Sequence, residues 1–438
     1  MSKKSINIFW FRRDLRLHDN AGLYHALKSD KPVLCIFIFD ADILTKLDNS
    51  KDARVLFIHD ELTAINNQLH ELGSTLISFH GSTKEVWQKI TDTYKVETVF
   101  ANRDYEPYAR ERDKNIYDFL KEKNIEFKGY KDQVIFEKEE VMKDDGKPYT
   151  VFTPYSRKWK LKITPFYLKS YPTKKYFGNL YQLKKEPIID LKTMGFEEFD
   201  FHYFPDKTPA VTVLKKYDLT RDFPAIEGTS RISLHLRFGT ISVREITRLA
   251  YETNEKWLNE LIWREFYQMI LFHFPYSATS AFKPQYNAIV WRNNEHEFKA
   301  WCEGKTGYPI VDAGMRELNT TGHMHNRVRM VVASFLVKHL LIDWKWGERY
   351  FASKLLDFDL ASNVGGWQWA AGSGCDAAPY FRVFNPTLQT EKFDHDELYI
   401  KKWVPEYKTS SYPKPIVEHS FARDRCLTVF KQALSGIE

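Results

Sequence analysis

Short, continuous runs of apolar residues recur through the first 130 residues of the chain. The runs at 6–11, 32–39, 76–79 and 98–101 could each form one buried strand, and helical patterns separate them. Strands that are apolar on both faces are typical of a parallel sheet covered by helices on both sides. Between the second and third runs, apolar residues recur at steps of three and four until Gly73. The pattern predicts a doubly wound, Rossmann-like α/β domain over residues 1–130.

The segment that follows the first predicted strand limits the ligands that this domain can take. It reads RRDLRLHDN and lacks the GxGxxG pattern of a nicotinamide site, so that cofactor is disfavoured. Arg12, Arg13 and Arg16 form either the rim of a ligand site or a solvated loop. A solvated loop is the commoner origin of such a short basic run.

The sequence pattern changes twice after this domain. Residues 131–199 are rich in Lys, Tyr and Pro without a clear period, which indicates an interdomain linker. Helical patterns predominate over 200–438, so we expect an all-α second domain there. The chain has an aromatic content of 16%, which favours stacking surfaces, and its net charge of +6 suits an anionic partner such as nucleic acid.

Several classes of protein are disfavoured by what the sequence lacks. The 4 cysteines stand apart without a CxxC pair, so we expect neither disulfides nor a bound metal. The first residues do not form an apolar signal segment, and no run of about 18 apolar residues follows. We therefore expect a cytoplasmic protein that makes no membrane contact.

The segment at 357–381 concentrates residues that could surround a bound ring system. Asp357 and Asp359 precede Asn363, and Trp367 and Trp369 follow within a few positions. An ordinary amphipathic helix does not need this combination. The pattern predicts a site for something flat and polar.

Two further segments carry polar groups that have more than one explanation. The hydroxyls and Arg231 at 229–233 form either a phosphate clamp or an ordinary helix cap. On the helix predicted at 257–267, Trp257, Glu260, Arg264 and Tyr267 share one face. Burying such a face requires either a polar ligand or an internal Glu–Arg pair.

A third segment, at 324–330, begins another predicted helix. Asn326 and Met330 are four residues apart and share a face, whereas Arg327 and Arg329 project to other sides. By itself this segment is more typical of a core methionine beside two surface arginines than of a binding site.

Six motifs follow one another in an order that identifies a family. They are FWFRRDLRLHDN at 9–20, NRDYEPYARERD at 102–113, GTSRIS at 228–233, WLNELIWREFY at 257–267, MHNRVRM at 324–330 and NVGGWQWAA at 363–371. Together they resemble the photolyase and cryptochrome family over nearly the whole chain. Within it, the chain is most similar to class I cyclobutane pyrimidine dimer photolyases. The resemblance implies an N-terminal antenna domain and a helical, FAD-binding catalytic domain.

The resemblance also implies one bound FAD, active in its fully reduced form. Asn363 would face flavin N5, where an amide favours repair because it does not readily give up a proton. Asp357 would need a cation nearby, and Arg329 is the candidate. By motif position, the FAD contacts are Tyr217, Thr229, Ser230, Arg231, Ile232, Ser233, Trp257, Arg264, Arg329, Asp357, Phe358, Asp359 and Asn363.

The reaction implied by the resemblance is light-dependent repair of dimers in UV-damaged DNA, by electron transfer from excited reduced FAD to a flipped-out dimer. Glu260 and Asn326 would hydrogen-bond the base edges, Met330 would touch the dimer, and Asn363 would complete the catalytic set. Relatives that repair (6-4) photoproducts carry His in place of Met330. The methionine therefore argues for cyclobutane dimers.

Further residues are assigned by resemblance to DNA and to electron transfer. Phosphate contacts do not read sequence, so we expect binding to damaged double- or single-stranded DNA to be independent of sequence. We also expect the protein to be a monomer. Trp291, Trp344 and Trp367 match the family's electron-transfer chain, although each alone could be a packing residue. The DNA and lesion contacts are Arg221, Glu260, Trp263, Tyr267, Asn326, Arg327, Trp369, Gln389 and Lys392.

The chain departs from its folate-using relatives at Ala109, where they carry Glu. An antenna chromophore, if bound, could be a deazaflavin, a folate or a flavin, and the alanine argues against folate. The rival function is a blue-light cryptochrome that signals without repair. Such proteins usually lack parts of the set Trp263, Glu260, Asn326 and Met330, which this chain has in full.

Overall fold

The structure is a computed structural model that describes residues 4–435. These residues pack into two compact units that interleave along the chain. The first unit contains the residues up to 137, 162–208 and 232–252, and the second contains 138–161, 209–231 and the residues from 253 onward. The sequence-based bounds at 130 and 200 follow chain order instead, and the segment 131–199 contributes to both units.

A parallel sheet forms the centre of the first unit. Its strands are β1 (Ser5–Phe11), β2 (Val33–Asp40), β3 (Leu76–Gly81), β4 (Lys95–Asn102) and β5 (Glu126–Tyr130). They lie in the order β3-β2-β1-β4-β5, and Phe9 of β1 pairs with Cys35 on one side and Phe100 on the other. Every residue of β2 is buried. The order reverses direction at β1, so the predicted doubly wound α/β domain is confirmed.

Helices connect the strands and make up the second unit. In chain order they are α1 (Ala21–Leu27), α2 (Ala41–Leu44), α3 (Ala53–Glu71), α4 (Thr83–Thr93), α5 (Pro107–Glu122), α6 (Phe152–Lys162), α7 (Val211–Lys215), α8 (Tyr217–Thr220), α9 (Ser233–Phe238), α10 (Val243–Thr253), α11 (Glu255–His273), α12 (Glu295–Cys302), α13 (Pro309–Thr321), α14 (Asn326–Ser334), α15 (Trp344–Lys354), α16 (Leu360–Ala371), α17 (Pro386–Phe393), α18 (Leu398–Trp403) and α19 (His419–Ser435).

Helix α3 is the one that apolar spacing predicted between the second and third strands. It buries Val55, Leu62, Ile65 and Leu69. Gly73 follows its end with a φ of 75°, a left-handed conformation that glycine adopts without strain. The fifth strand escaped sequence analysis because β5 is a half-buried edge strand with Lys128 and Gly129 in its middle.

The basic run after β1 is buried, so its interpretation as a solvated loop is wrong. Arg16 donates to the Asp132 carboxylate at 2.7 Å, and Arg244 donates to Asp132 and to Asp19, each at 2.8 Å. All four side chains are less than a tenth exposed. Buried charges persist only when they are paired and hydrogen-bonded. These arginines therefore hold the loops of the first unit together.

The second unit is helical, and its described residues include no strand, as predicted. Its largest core surrounds α14 and α16, where Trp301, Val332, Leu336 and Trp367 are at most 2% exposed. Helix α14 continues into a π-helical turn, Phe335–His339. Among the helices of residues 4–435, none is both long and apolar enough to cross a membrane.

Candidate functional site

Helix α11 carries many of the side chains predicted to bind cofactor and lesion. The Asn254 side chain caps it by accepting from the backbone N–H groups of Lys256 and Trp257, at 2.9 and 3.2 Å. This cap fixes where the helix begins and therefore which residues share a face. Trp257 is buried at 2% exposure. The other members of the predicted face, Glu260, Arg264 and Tyr267, are half-buried, and so is Trp263 on the same helix.

The carboxylate of Glu260 forms an ion pair with Arg221, which follows helix α8. The Arg221 guanidinium also lies over the ring of Tyr217, 5.5 Å from its centroid. Burial raises the pKa of the Glu260 carboxyl, and the charge of Arg221 opposes that rise. A carboxyl in this balance can either accept a hydrogen bond or, once protonated, donate one.

The start of helix α14 brings together the residues predicted at 324–330. Asn326 is exposed, whereas Arg327, Arg329 and Met330 are half-buried. Arg327 donates to the Asp222 carboxylate at 2.6 Å and lies 4.3 Å from the ring centroid of Phe393. Its other terminal nitrogen is 3.8 Å from the sulfur of Met330. Asp222 is also 3.8 Å from Arg221, so Glu260, Arg327 and Met330 belong to one connected set.

The side chain of His325 caps the start of α14. Its ring Nδ1 accepts from the backbone N–H of Arg327 at 3.2 Å, and the backbone N–H of His325 donates to the Glu317 carboxylate at 3.3 Å. The Tyr399 hydroxyl donates to the same Glu317 carboxylate at 2.6 Å. Burial lowers the pKa of His325 to about 4, which keeps the ring neutral and Nδ1 able to accept. Sequence analysis missed His325, Glu317 and Tyr399.

The acidic residues before α16 have the partners that buried carboxylates need. Arg329 donates to both oxygens of Asp357, at 3.0 and 3.2 Å, so the predicted cation for Asp357 is confirmed. Asp359 caps α16 by accepting from the N–H and the hydroxyl of Ser362, at 3.1 and 3.0 Å. Phe358, between them, is half-buried.

Asn363 is fixed by a residue that sequence analysis did not find. Its amide nitrogen donates to the backbone oxygen of Glu348 at 3.1 Å and to the Glu348 carboxyl at 2.9 Å. Both contacts use the NH₂ group, so the amide oxygen points elsewhere as an acceptor. Burial raises the pKa of Glu348, and the hydrogen bond from Asn363 opposes the rise.

Helices α11 and α16 approach closely because a glycine lies between them. A Cβ atom added at Gly365 would lie 2.3 Å from Cδ1 of Tyr267, closer than any side chain tolerates. Gly365 therefore lets α11 pack closely against α16, whereas a Cβ atom at Gly366 would meet nothing within 4 Å.

The hydroxyl-rich segment at 229–233 divides between the two units. Thr229, Ser230 and Arg231 belong to the second unit, and Arg231 is exposed with a φ of 51°. Their side chains make no hydrogen bond or ion pair to other residues within 4–435. Ile232 is buried in the first unit and precedes α9, which starts at the exposed Ser233 without a side-chain cap. The helix-cap explanation is therefore wrong.

The remaining tryptophans occupy distinct surroundings. Trp367 is buried and meets Phe351 and Trp301 edge-on, with ring centroids 5.0 and 6.0 Å away. Trp344 is 4% exposed at the start of α15, and Trp291 is half-buried. Within the part of the chain that the structure describes, none of the three predicted electron-transfer rings stacks on or meets another edge-on, although Trp344 and Trp367 belong to one core cluster and Trp291 packs against it.

The two tryptophans predicted to stack on the lesion are half-buried. Trp263 lies flat on Phe152 of α6, with 3.7 Å between ring centroids and 4° between planes. Trp369 is 6.4 Å from the ring of Phe384. Of the predicted DNA contacts on α17, Gln389 is half-buried, and the exposed Lys392 lies 5.2 Å from the ring of Phe393.

The donor set fits FAD. Asn363 would supply an amide oxygen as an acceptor. Arg329 and Asp357 form a guanidinium–carboxylate pair that would balance charge. The unpaired hydroxyls and the cation at 229–231 would supply donors to the phosphates.

Comparison with known proteins accounts for both units. Residues 7–174 match the family model described as DNA photolyase, and residues 257–411 match that of the FAD binding domain of DNA photolyase. An Escherichia coli protein named deoxyribodipyrimidine photo-lyase is 38% identical, over 98% of this chain and 99% of its own length.

Two solved structures resemble this chain over nearly its whole length. A bacterial class III photolyase from Agrobacterium tumefaciens superposes with a TM-score of 0.88 at 33% identity, covering 99% of both chains. A cryptochrome from Synechocystis superposes with a TM-score of 0.84 at 26% identity, covering 98% of this chain and 100% of its own.

Proposed function

This chain belongs to the DNA photolyase family, and from that premise we propose that it uses light to repair cyclobutane pyrimidine dimers in DNA. The observation that carries the proposal is the connected set of Glu260, Arg221, Asp222, Arg327 and Met330. It joins a carboxyl able to hydrogen-bond bases to a guanidinium able to bind a phosphate. A light sensor that does not bind DNA would not need a base-binding carboxyl connected to a phosphate-binding guanidinium.

FAD, when bound and reduced, supplies on illumination the electron that opens the cyclobutane ring. Its proposed contacts are the side chains assigned by motif position, among them Arg329, Asp357 and Asn363. Because Glu348 holds the Asn363 NH₂ group, the amide presents its oxygen to the flavin and offers no readily transferred proton. The site thus favours the fully reduced state.

The lesion is recognised by aromatic faces and hydrogen bonds. Photolyases are among the enzymes that extrude their target from the duplex, at a cost of roughly a few kcal/mol that is least for damaged bases. We propose that Trp263 and Trp369 stack on the extruded bases, each contact being worth about 1–3 kcal/mol. Glu260, with its raised pKa, can donate to a base edge as negative charge develops there, alongside Asn326.

The DNA backbone is bound through charge. Arg221, Arg327, Gln389 and Lys392 are the proposed contacts. Phosphate contacts carry no sequence information, so binding should depend on the lesion and weaken with salt. We propose that the protein acts as a monomer on double- and single-stranded DNA in the cytoplasm, where bacterial DNA lies.

The functional domains are proposed as antenna, 1–130, linker, 131–199, and FAD-binding catalytic domain, 200–438. Within the first, Ala109 is 4% exposed and its methyl group cannot accept a hydrogen bond. A folate antenna would lose its usual carboxylate there. We therefore propose that any antenna is a deazaflavin or a flavin.

A substrate comparison tests this function against its rival. Reduced holoenzyme is illuminated with oligonucleotides that contain either a cyclobutane thymine dimer or a (6-4) photoproduct. We expect restoration of the first and none of the second, because Met330 stands where the (6-4) chemistry uses histidine. Restoration of neither lesion would favour a signalling cryptochrome, and restoration of the (6-4) product alone would contradict the assignment of Met330.

A further inference from the structure

Two neighbouring residues, Arg221 and Asp222, form ion pairs with two side chains that the proposed function assigns to DNA. One of these side chains would bind the lesion and the other a phosphate. Arg221 pairs with Glu260, which would bind the lesion. Asp222 pairs with Arg327, which would bind a phosphate. Both DNA-binding groups are thus occupied within the protein itself. Any DNA that engages them has to displace the contacts made by this short segment.

The contact between Asp222 and Arg327 is suited to displacement. The Arg327 side chain is 18% exposed and that of Asp222 is 38% exposed, so solvent and DNA can reach the pair. Phe393 supports the flat face of the guanidinium at 4.3 Å and keeps it oriented. The Arg327 Nε is buried and has no hydrogen-bond partner within residues 4–435. One carboxylate therefore leaves part of the guanidinium unsatisfied, and a phosphate offers more acceptor oxygens.

We propose that Asp222 is a specificity-determining residue: its carboxylate occupies the phosphate site of Arg327 and yields readily only when a lesion engages Glu260. This proposal rests on the proposed function.

The selectivity follows from the position of Arg221 between two carboxylates. Asp222 lies 3.8 Å from Arg221, which is already paired with Glu260. On undamaged DNA, Glu260 stays on Arg221, so a displaced Asp222 faces the phosphates without a full counter-charge. On damaged DNA, Glu260 turns to the extruded bases, so the charge of Arg221 is no longer offset by Glu260 and can balance that of Asp222 beside the phosphates. The penalty for displacing Asp222 is therefore larger on undamaged DNA.

Asp222→Asn tests the proposal, because it keeps the shape and removes the charge. Affinity is measured in the dark by fluorescence anisotropy, with one duplex in undamaged form and with a single thymine dimer. We expect affinity for undamaged DNA to rise by up to about fivefold, the upper range for one partly exposed ion pair. Affinity for the damaged duplex should change less, so the preference for damage falls. The difference should shrink as salt increases.

Asp218→Asn is the matched control, since it removes the same charge from the same segment and Asp218 contacts Asn254 instead. Asp222→Glu should retain most of the preference. Asp222→Ser provides a second uncharged variant if Asp222→Asn loses FAD or melts early. In a Glu260→Gln background, removing the Asp222 charge should no longer alter the preference.

The outcomes separate this inference from the function on which it rests. If the unaltered protein shows no preference for damaged DNA, the proposed function fails. If it shows the preference and both uncharged variants leave it unchanged, the role of Asp222 is refuted. An equal fall in Asp218→Asn would also refute it, because general charge would then suffice.

Discussion

The stack of Phe152 on Trp263 gives a quantitative prediction about lesion binding. The rings are 3.7 Å apart and 4° from parallel. An aromatic pair of this kind is worth about 0.5–1.5 kcal/mol beyond its burial. Phe152 covers one face of the indole, and Trp263 is only half-buried, so part of its ring stays accessible to a base. Phe152→Ala should therefore let Trp263 reorient and weaken binding to a thymine dimer by about twofold to tenfold, since about 1.4 kcal/mol corresponds to a factor of ten.

A double-mutant cycle isolates this contact from general damage to the fold. Dissociation constants for the dimer are measured for Phe152→Ala, Trp263→Ala, the double variant and the unaltered protein. If Phe152 acts through Trp263, its removal has little further effect once the indole is gone. Phe421→Ala is the control, because that ring is 60% exposed on α19. Independent, additive effects of the two truncations would refute the reasoning.

Substitutions at three other positions test the electron-transfer chain, the flavin site and the stability of the fold. Trp367→Phe should prevent photoreduction of oxidised FAD while chemically reduced enzyme still repairs, and loss of both would show that the ring is structural. Glu348→Leu should leave the Asn363 amide held only by the backbone oxygen at 348 and so shift the reduction potential of bound FAD. Glu348→Gln, which keeps a side-chain acceptor, should retain the original potential, and equal potentials in both variants would contradict this. Burial lowers the pKa of His339 to about 3. Histidine in an unfolded chain titrates at about pH 6.5, so as the pH falls the unfolded chain binds a proton at His339 before the folded chain does. The free energy of unfolding should therefore fall as the pH is lowered from about 6.5 to the folded pKa, by at most about 1.4 kcal/mol per pH unit for this group. His339→Asn should flatten that slope in acid unfolding measured by circular dichroism, and an unchanged slope would refute the assignment.

Sequence analysis succeeded where local pattern determines structure. Continuous apolar runs specified the parallel sheet, and steps of three and four specified α3. The pairing of Arg329 with Asp357 was also predictable, because a buried carboxylate needs a nearby cation and the motif offered one. These inferences need only a few neighbouring residues or one rule of charge balance.

The supporting contacts could not be predicted because they join distant parts of the chain. Arg16 meets the Asp132 carboxylate, which Arg244 also reaches, only after the chain has folded, so the charge of Arg16 looked like that of a solvated loop. Phe152 lies on a helix from the segment predicted as a linker, and Glu348 lies on a different helix from Asn363. Nothing in local periodicity marks such partners. Asp222 differs, since its place beside Arg221 was visible but its contact with Arg327 was not.

Light dependence of repair is the most direct test of the central claim. A thymine dimer oligonucleotide is incubated with reduced holoenzyme in two halves of one sample, one kept dark and one exposed to blue light, and intact thymines are counted by chromatography. We expect binding in both halves and restored thymines only in the illuminated half. Restoration in the dark, or bound dimers that remain unrepaired in the light, would contradict it.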